Sequence, residues 1–121
     1  MSYSVVFDKG SGFILVTIDG ELTLSLLEKV AAEVGEIENK LGCKLVINDL
    51  SNARLTEEAL EVYRMPEKAQ QMGVDHVCKR ALVVGDRFSD FYFLETVFVN
   101  QGHLVKMFGS VDEAKRWLKQ R

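Results

Sequence analysis

Apolar and polar residues recur along the chain at two different spacings, and the alternation predicts a sequence of strands and helices. Apolar runs at residues 3–7 and 13–18 predict two short strands. The intervening segment 8–12 is rich in turn-forming residues, so the two strands should pair as an antiparallel hairpin. Asp19 and Gly20 are predicted to end the second strand.

A long amphipathic helix is predicted next. Its apolar positions recur three and four residues apart, at Leu27, Val30, Val34, Ile37 and Leu41. Thr23 is a favourable N-cap, and Gly42 suits the left-handed position after the last turn. Together these signals predict a helix of about 18 residues.

The middle of the chain predicts a buried strand and a second helix. Residues 44–48 form a short apolar run, which is typical of a strand covered on both faces. Thr56, followed by two glutamates, is expected to open the helix, and Gly73 to end it. Pro66 falls inside this helix and lacks an N–H, so we expect a kink or break near residues 63–65.

The last third predicts two more strands, at residues 80–84 and 103–108, separated by an aromatic helix at 88–99. Ser110 and Glu113 form a capping box that should open a final helix with Ala114, Trp117 and Leu118 facing inward.

The element order is therefore ββαβαβαβα. Strands separated by helices are joined by right-handed crossovers and lie parallel, whereas the hairpin adds one antiparallel strand. We therefore predict an α/β fold: a mixed, mostly parallel five-stranded sheet with helices packed on it. The length of 121 residues suits one domain, residues 1–121.

The aromatic helix carries apolar side chains on more than one face. Phe91, Leu94 and Phe98 share one face, whereas Phe93 and Val97 are predicted to point the opposite way. A helix that is apolar on both sides must be covered on both sides. Its second face should therefore meet a partner, a second copy of the chain or an apolar ligand.

An apolar ligand would be lined by four residues in this interpretation: Met65, Phe88, Tyr92 and Phe98. Glu95 lies at the margin of the same helix. It either serves such a site or is an ordinary rim residue, solvated or paired with a cation.

Charge and composition exclude several classes of function. The net charge of −3 disfavours nucleic-acid binding, which requires a concentrated cationic surface. The residues predict no signal peptide, and we expect no membrane span, since no apolar run approaches the required length. Cys43 and Cys78 are expected to be buried thiols in a reducing cytoplasm. His76 and Cys78 share a strand face, but their spacing is unlike that of a metal site, and we expect no metal or cofactor.

Two segments resemble a known family. The first is the strand end Asn48, Asp49, Leu50, Ser51 and Asn52, which is similar to the STAS domains of anti-sigma-factor antagonists. The second is the C-terminal segment 105–118, which resembles the SpoIIAA-like family of small bacterial proteins. The resemblance implies a non-enzymatic, cytoplasmic regulatory module. It also implies similarity in fold to CRAL-TRIO lipid-binding domains.

The motif departs from the phospho-regulated members of this family. Asp49 and Ser51 match its first half, but Asn52 replaces a glycine. Thr56 is the nearest hydroxyl to the phosphorylated position, without the flanking aspartate and glycine. A phosphate on Thr56 would also meet two adjacent glutamates. We therefore expect that the phospho-switch is not retained.

Two hypotheses follow. In the first, a loop containing Asp49, Ser51, Asn52 and Thr56 binds another protein, and the chain forms a homodimer through Phe93 and Val97. In the second, the domain binds a small apolar molecule such as a lipid or fatty acid. Local hydrogen bonding by Asp49 and Ser51 to nearby backbone amides is the structural alternative to a binding role.

Overall fold

The computed structural model describes residues 2–42, 45–74 and 77–120. Five strands and four helices alternate as the sequence predicts. The strands are β1 (Ser2–Asp8), β2 (Phe13–Leu22), β3 (Leu45–Leu55), β4 (Lys79–Val83) and β5 (Leu104–Phe108). The helices are α1 (Leu24–Leu41), α2 (Ala59–Gln71), α3 (Phe88–Asn100) and α4 (Val111–Leu118).

The sheet has the strand order β1-β2-β3-β4-β5. The first pair is antiparallel and the remaining pairs are parallel, which confirms the predicted mixed sheet. The three crossovers proceed in one direction along the sheet, and α1, α2 and α3 share one core cluster on the same face. Helix α4 returns to the opposite face and packs on β3, β4 and β5.

The core has two parts, one on each face of the sheet. The larger cluster joins the sheet to α1, α2 and α3, with Val16, Met65 and Phe91 almost fully buried. The smaller cluster lies under α4 and includes Phe13 and Phe108. Strand side chains alternate between the clusters, as expected for strands covered on both faces.

The helix boundaries confirm most of the predicted capping. The Thr23 hydroxyl accepts a hydrogen bond from the Leu26 amide at 3.1 Å, and the Ser110 hydroxyl accepts one from Glu113 at 3.3 Å. Gly42 ends α1 with a φ of 66°, a conformation that glycine adopts without steric cost. The predicted 18-residue length of α1 is correct.

The β1–β2 turn is also organised locally. Asp8 accepts hydrogen bonds from the Ser11 hydroxyl at 2.7 Å and from the Gly10 amide at 3.3 Å. These two donors stabilise the ionised carboxylate and lower the pKa of Asp8 below its usual range.

Three predicted boundaries in the first half of the chain are wrong. Strand β2 continues beyond Gly20 to Leu22, and β3 continues to Leu55, because the two extensions pair with each other. Helix α2 begins at Ala59 rather than at Thr56, which lies in the preceding loop. Pro66 does not break α2, since the helix continues through it to Gln71.

Within the parts of the chain that the structure describes, every helix is too short or too polar to cross a lipid bilayer.

Candidate functional site

Strand β3 contains a bulge just after Asp49, the last residue of β3 that pairs with β4. Thr17 pairs with Asp49 and Asp19 pairs with Asn52, so β3 has one more residue than β2 between these pairs. Leu50 and Ser51 of β3 lie opposite a single residue of β2, Ile18. Bulges bend a strand and redirect its side chains, and they are common next to functional sites.

Asp49 and Ser51 hold the bulge through local hydrogen bonds. The Ser51 hydroxyl and the Ser51 amide both donate to Asp49 Oδ1, at 2.6 Å and 3.1 Å. The Asp49 carboxylate thus binds a nearby backbone amide, as expected if these side chains have a structural role. The Ser51 hydroxyl is half-buried and is hydrogen-bonded to the Asp49 carboxylate.

Arg87 holds the other side of the bulge. Its Nη2 donates to the carbonyl oxygens of Leu50 at 2.8 Å and Ser51 at 2.9 Å. The guanidinium also lies 5.3 Å from the centre of the Phe91 ring, within range of a cation–π contact. Arg87 therefore connects the start of α3 to the backbone of β3.

The need for Arg87 follows from the unequal lengths of the strands. β4 pairs with β3 only as far as Val83 and Asp49. Beyond this point β3 has no partner on the β4 side, and its carbonyl oxygens need donors. Sequence reasoning missed Arg87, although its position immediately before a helix at this edge of the sheet was a usable signal.

The loop after β3 packs against the start of α1. Glu57 Oε1 accepts a hydrogen bond from the Leu24 amide at 2.9 Å, so a residue distant in sequence caps α1. Thr56 in this loop and Asn52 on β3 are both exposed. The structure thus brings together the region of Asp49, Ser51 and Asn52, but within a strand rather than in a loop after it.

Helix α3 is amphipathic in a different way from the prediction. Phe91, Leu94 and Phe98 are buried, as expected. Val97 is also buried, at 4% exposure, whereas Phe93 is 43% exposed. The predicted shared outer surface of Phe93 and Val97 is therefore wrong. The buried arc of α3 is wide because the helix packs on both the sheet and α2.

Glu95 has a structural contact at the edge of the sheet. Its Oε2 accepts a hydrogen bond from the Met107 amide of β5 at 2.9 Å. This contact occupies a backbone donor on an edge strand and reduces the opportunity for another strand to pair there.

An apolar cavity of about 90 Å³ lies between the sheet and helices α1, α2 and α3. Its walls are aliphatic for the most part, with Arg80 and Asn48 as polar members. Phe98 lines this cavity, whereas Met65 is fully buried outside the lining. Phe88 and Tyr92 are exposed on the surface, so the four residues do not form the predicted common lining.

The remaining candidate chemistry is dispersed. The His103 ring is buried, with Nε2 3.2 Å from Gln70 Nε2 and an edge contact to Phe98. Cys78 is buried, whereas Cys43 and His76 lie outside the described residues. Residues 2–42, 45–74 and 77–120 contain no group of three or more histidine, cysteine or acidic side chains placed to hold a metal ion.

Comparison with known structures identifies the architecture. The anti-sigma factor antagonist SpoIIAA, solved in its unphosphorylated form, superposes with a TM-score of 0.58 over 99% of this chain and 100% of that one. The chain has the SpoIIAA fold. Sequence identity to SpoIIAA is 10%, so the similarity establishes the fold and the element order. No protein-family model matches the sequence, and the search of curated proteins finds no match.

Proposed function

We propose that this protein is a non-enzymatic regulatory module that acts by contact with another protein. The fold supports this proposal, since the SpoIIAA structure is described as an anti-sigma factor antagonist. The observation that carries it is the bulge in β3. There the carboxylate of Asp49, the hydroxyl of Ser51 and the guanidinium of Arg87 all bind neighbouring groups of the chain.

Such an arrangement suits recognition better than chemistry. Polar groups that bind each other fix the shape of the backbone, whereas a reacting group must be available to a substrate. The exposed Asn52 and the exposed Thr56 follow the rigid bulge and form the surface that a partner would contact. We propose that this surface acts without phosphorylation.

A photo-crosslinking amino acid placed at Asn52 tests this proposal in the cells that express the protein. We expect a discrete crosslinked protein of constant mass. Arg87→Ala should abolish the crosslink, because it frees the bulge, and should reduce the free energy of unfolding by about 1.5 kcal/mol. Chemical denaturation measures the second effect.

The same crosslinker at Lys9 is the control. Lys9 is exposed in the β1–β2 turn, which lies at the amino-terminal end of β2, whereas Asn52 pairs with the second half of that strand. Equal crosslinking from both positions would contradict a specific surface at the bulge. Loss of the Asn52 crosslink in Thr56→Ala, together with a phosphate on Thr56 in the intact mass, would contradict action without phosphorylation.

A second candidate function is binding of a small apolar ligand, which the cavity supports. Its volume of about 90 Å³ is smaller than the cavity of roughly 150 Å³ that holds benzene in another protein. A fatty acid would therefore require α1, α2 or α3 to move away from the sheet. A compact apolar molecule fits this proposal better than a lipid.

Thermal unfolding and amide NMR spectra, each recorded with xenon, benzene or palmitate, test the second candidate. We expect xenon to shift the amide resonances of Ala69 and Phe98, which line the cavity, and palmitate to leave the unfolding temperature unchanged. Ala69→Leu should fill the space and remove the response to xenon. A rise in the unfolding temperature with palmitate, and with neither xenon nor benzene, would contradict the preference for a compact molecule that the cavity volume indicates.

A further inference from the structure

Helices α2 and α3 carry six of the twelve large apolar side chains that are exposed in the described part of the chain. Leu60, Tyr63, Phe88, Tyr92, Phe93 and Val99 are each between 42% and 67% exposed. We call these six residues the α2–α3 patch. The two helices pack directly on each other, so the patch spans adjacent elements. Phe88, Tyr92 and Val99 follow one face of α3 at helical spacing.

The exposed apolar area of the patch is comparable with that of the largest apolar patch on a typical monomer. Its four half-exposed aromatic rings leave on the order of 400 Å² of apolar surface in contact with water. Apolar patches of several hundred Å² on soluble proteins commonly mark interaction sites. Aromatic side chains are also the residues that contribute most to binding energy at protein interfaces.

The charge around the patch identifies the kind of partner. Residues 57–71 and 86–100 contain seven acids and three bases, a net charge of −4, whereas the whole chain has −3. Members of both groups are engaged: Arg87 binds the carbonyls of β3 and Arg64 lies 3.7 Å from Glu61, while Glu57 and Glu95 accept backbone amide hydrogen bonds, so the balance stays acidic. No lysine or arginine occurs between Phe88 and Asn100. The patch is therefore apolar with an acidic surround.

This charge distribution argues against a second copy of the chain, because two acidic surfaces would repel each other. It argues equally against an anionic membrane. The backbone groups of α2 and α3 are hydrogen-bonded within each helix, so an added strand would find no edge to pair with. A helix can lay an apolar face on exposed side chains of two neighbouring helices.

We propose that the α2–α3 patch binds a cationic amphipathic helix of a partner protein. This inference rests on the proposed function and specifies the chemistry of the partner. Leucine or aromatic residues of the partner helix cover Tyr92 and Phe93, and its lysine or arginine residues face the acids of α2 and α3. Arginine can also stack on the exposed rings.

Two synthetic 18-residue peptides test the proposal. Both carry the same leucine and tryptophan positions at helical spacing, and the polar face is lysine and arginine in one and glutamate in the other. We expect the cationic peptide to bind at least about 10-fold more tightly by fluorescence anisotropy, with the difference decreasing as salt rises. Amide resonance shifts should map to α2 and α3.

Substitutions in the full chain distinguish binding at the α2–α3 patch from nonspecific binding. Tyr92→Ser and Phe93→Ser should each reduce the affinity for the cationic peptide by about 10-fold. Leu41→Ser is the control, because Leu41 is similarly exposed at the end of α1 and should leave binding unchanged. Equal affinity for both peptides, or shifts located on β1 or α4, would overturn the proposal.

Three further outcomes decide between the proposals. If sedimentation shows dimers that Tyr92→Ser dissociates, the occupant is a second copy and the proposal is wrong. If neither peptide binds while the crosslink from Asn52 persists, the proposed partner helix is excluded and the proposed binding surface at the bulge is retained. Loss of both signals contradicts the proposed function as well.

Discussion

Arg80→Ala should reduce the free energy of unfolding by about 3–5 kcal/mol, because it removes the guanidinium that pairs with the buried Glu38 carboxylate. Arg80 Nη1 lies 2.7 Å from Glu38 Oε2, and Nη2 donates to Glu38 Oε1 at 3.1 Å. The two side chains are 7% and 2% exposed. The pair joins β4 to α1, the two sides of the larger core cluster, so the loss is felt within that cluster.

Two variants distinguish the pair from an ordinary salt bridge. In Glu38→Leu with Arg80→Met both charges are absent, and we expect stability equal to the natural protein or up to about 4 kcal/mol higher. Arg64→Ala removes an exposed pair with Glu61 and should cost less than about 1 kcal/mol. Urea denaturation followed by circular dichroism measures all three.

A cost below that of Arg64→Ala would contradict the assignment of Arg80 and Glu38 as a tightly coupled buried pair. The comparison is informative because a domain of this size has a total stability of roughly 6–18 kcal/mol. A loss of the expected size would therefore populate the unfolded state measurably at moderate temperature.

Most of the fold could be predicted from the sequence because its elements have strong periodicity. Leu27, Val30 and Val34 indicate α1 directly, and the apolar runs indicate β2, β4 and β5. The extension of β3 through Asn52 to Leu55 could not be predicted in the same way. Asn52 and Arg54 alternate with Ala53 and Leu55 over only four positions, too few for a clear strand pattern, and the segment is a strand because the end of β2 pairs with it.

The candidate site was harder to predict because its geometry depends on residues far apart in the chain. Asp49 and Ser51 were identified from a short motif, but the bulge depends on Arg87, 36 residues after Ser51. Val97 was placed on the outer face because helical geometry alone ignores neighbouring helices. Periodicity reports one buried direction, whereas α3 is covered from two.

Gly35→Ala should lower the free energy of unfolding by about 3 kcal/mol, although alanine is the better helix former. Gly35 lies inside α1, where replacing glycine normally stabilises a helix by about 0.5–1 kcal/mol. Here a Cβ atom would lie 2.9 Å from the Gly73 carbonyl carbon and 2.9 Å from the Met72 oxygen. Both atoms belong to the backbone, so a rotamer change cannot relieve the overlap.

Gly10→Ala provides the matched control for this sign reversal. Gly10 does not have a positive φ, and a Cβ atom there would approach only Asp8 Oδ1, at 3.6 Å. Both substitutions restrict the unfolded chain to a similar extent, so the difference between them reports the contact between α1 and the turn after α2. We expect Gly10→Ala to change stability by less than about 0.5 kcal/mol.

Hydrogen exchange locates the effect independently of the total stability. The Val74 amide donates to Ala69 O at 3.1 Å in the turn that Gly35 contacts. In Gly35→Ala this amide should exchange faster, because the turn must move away from α1 to accept the methyl group. A variant more stable than the natural protein, with Val74 still protected, would show that α1 and the turn can separate by a few tenths of an ångström at little cost.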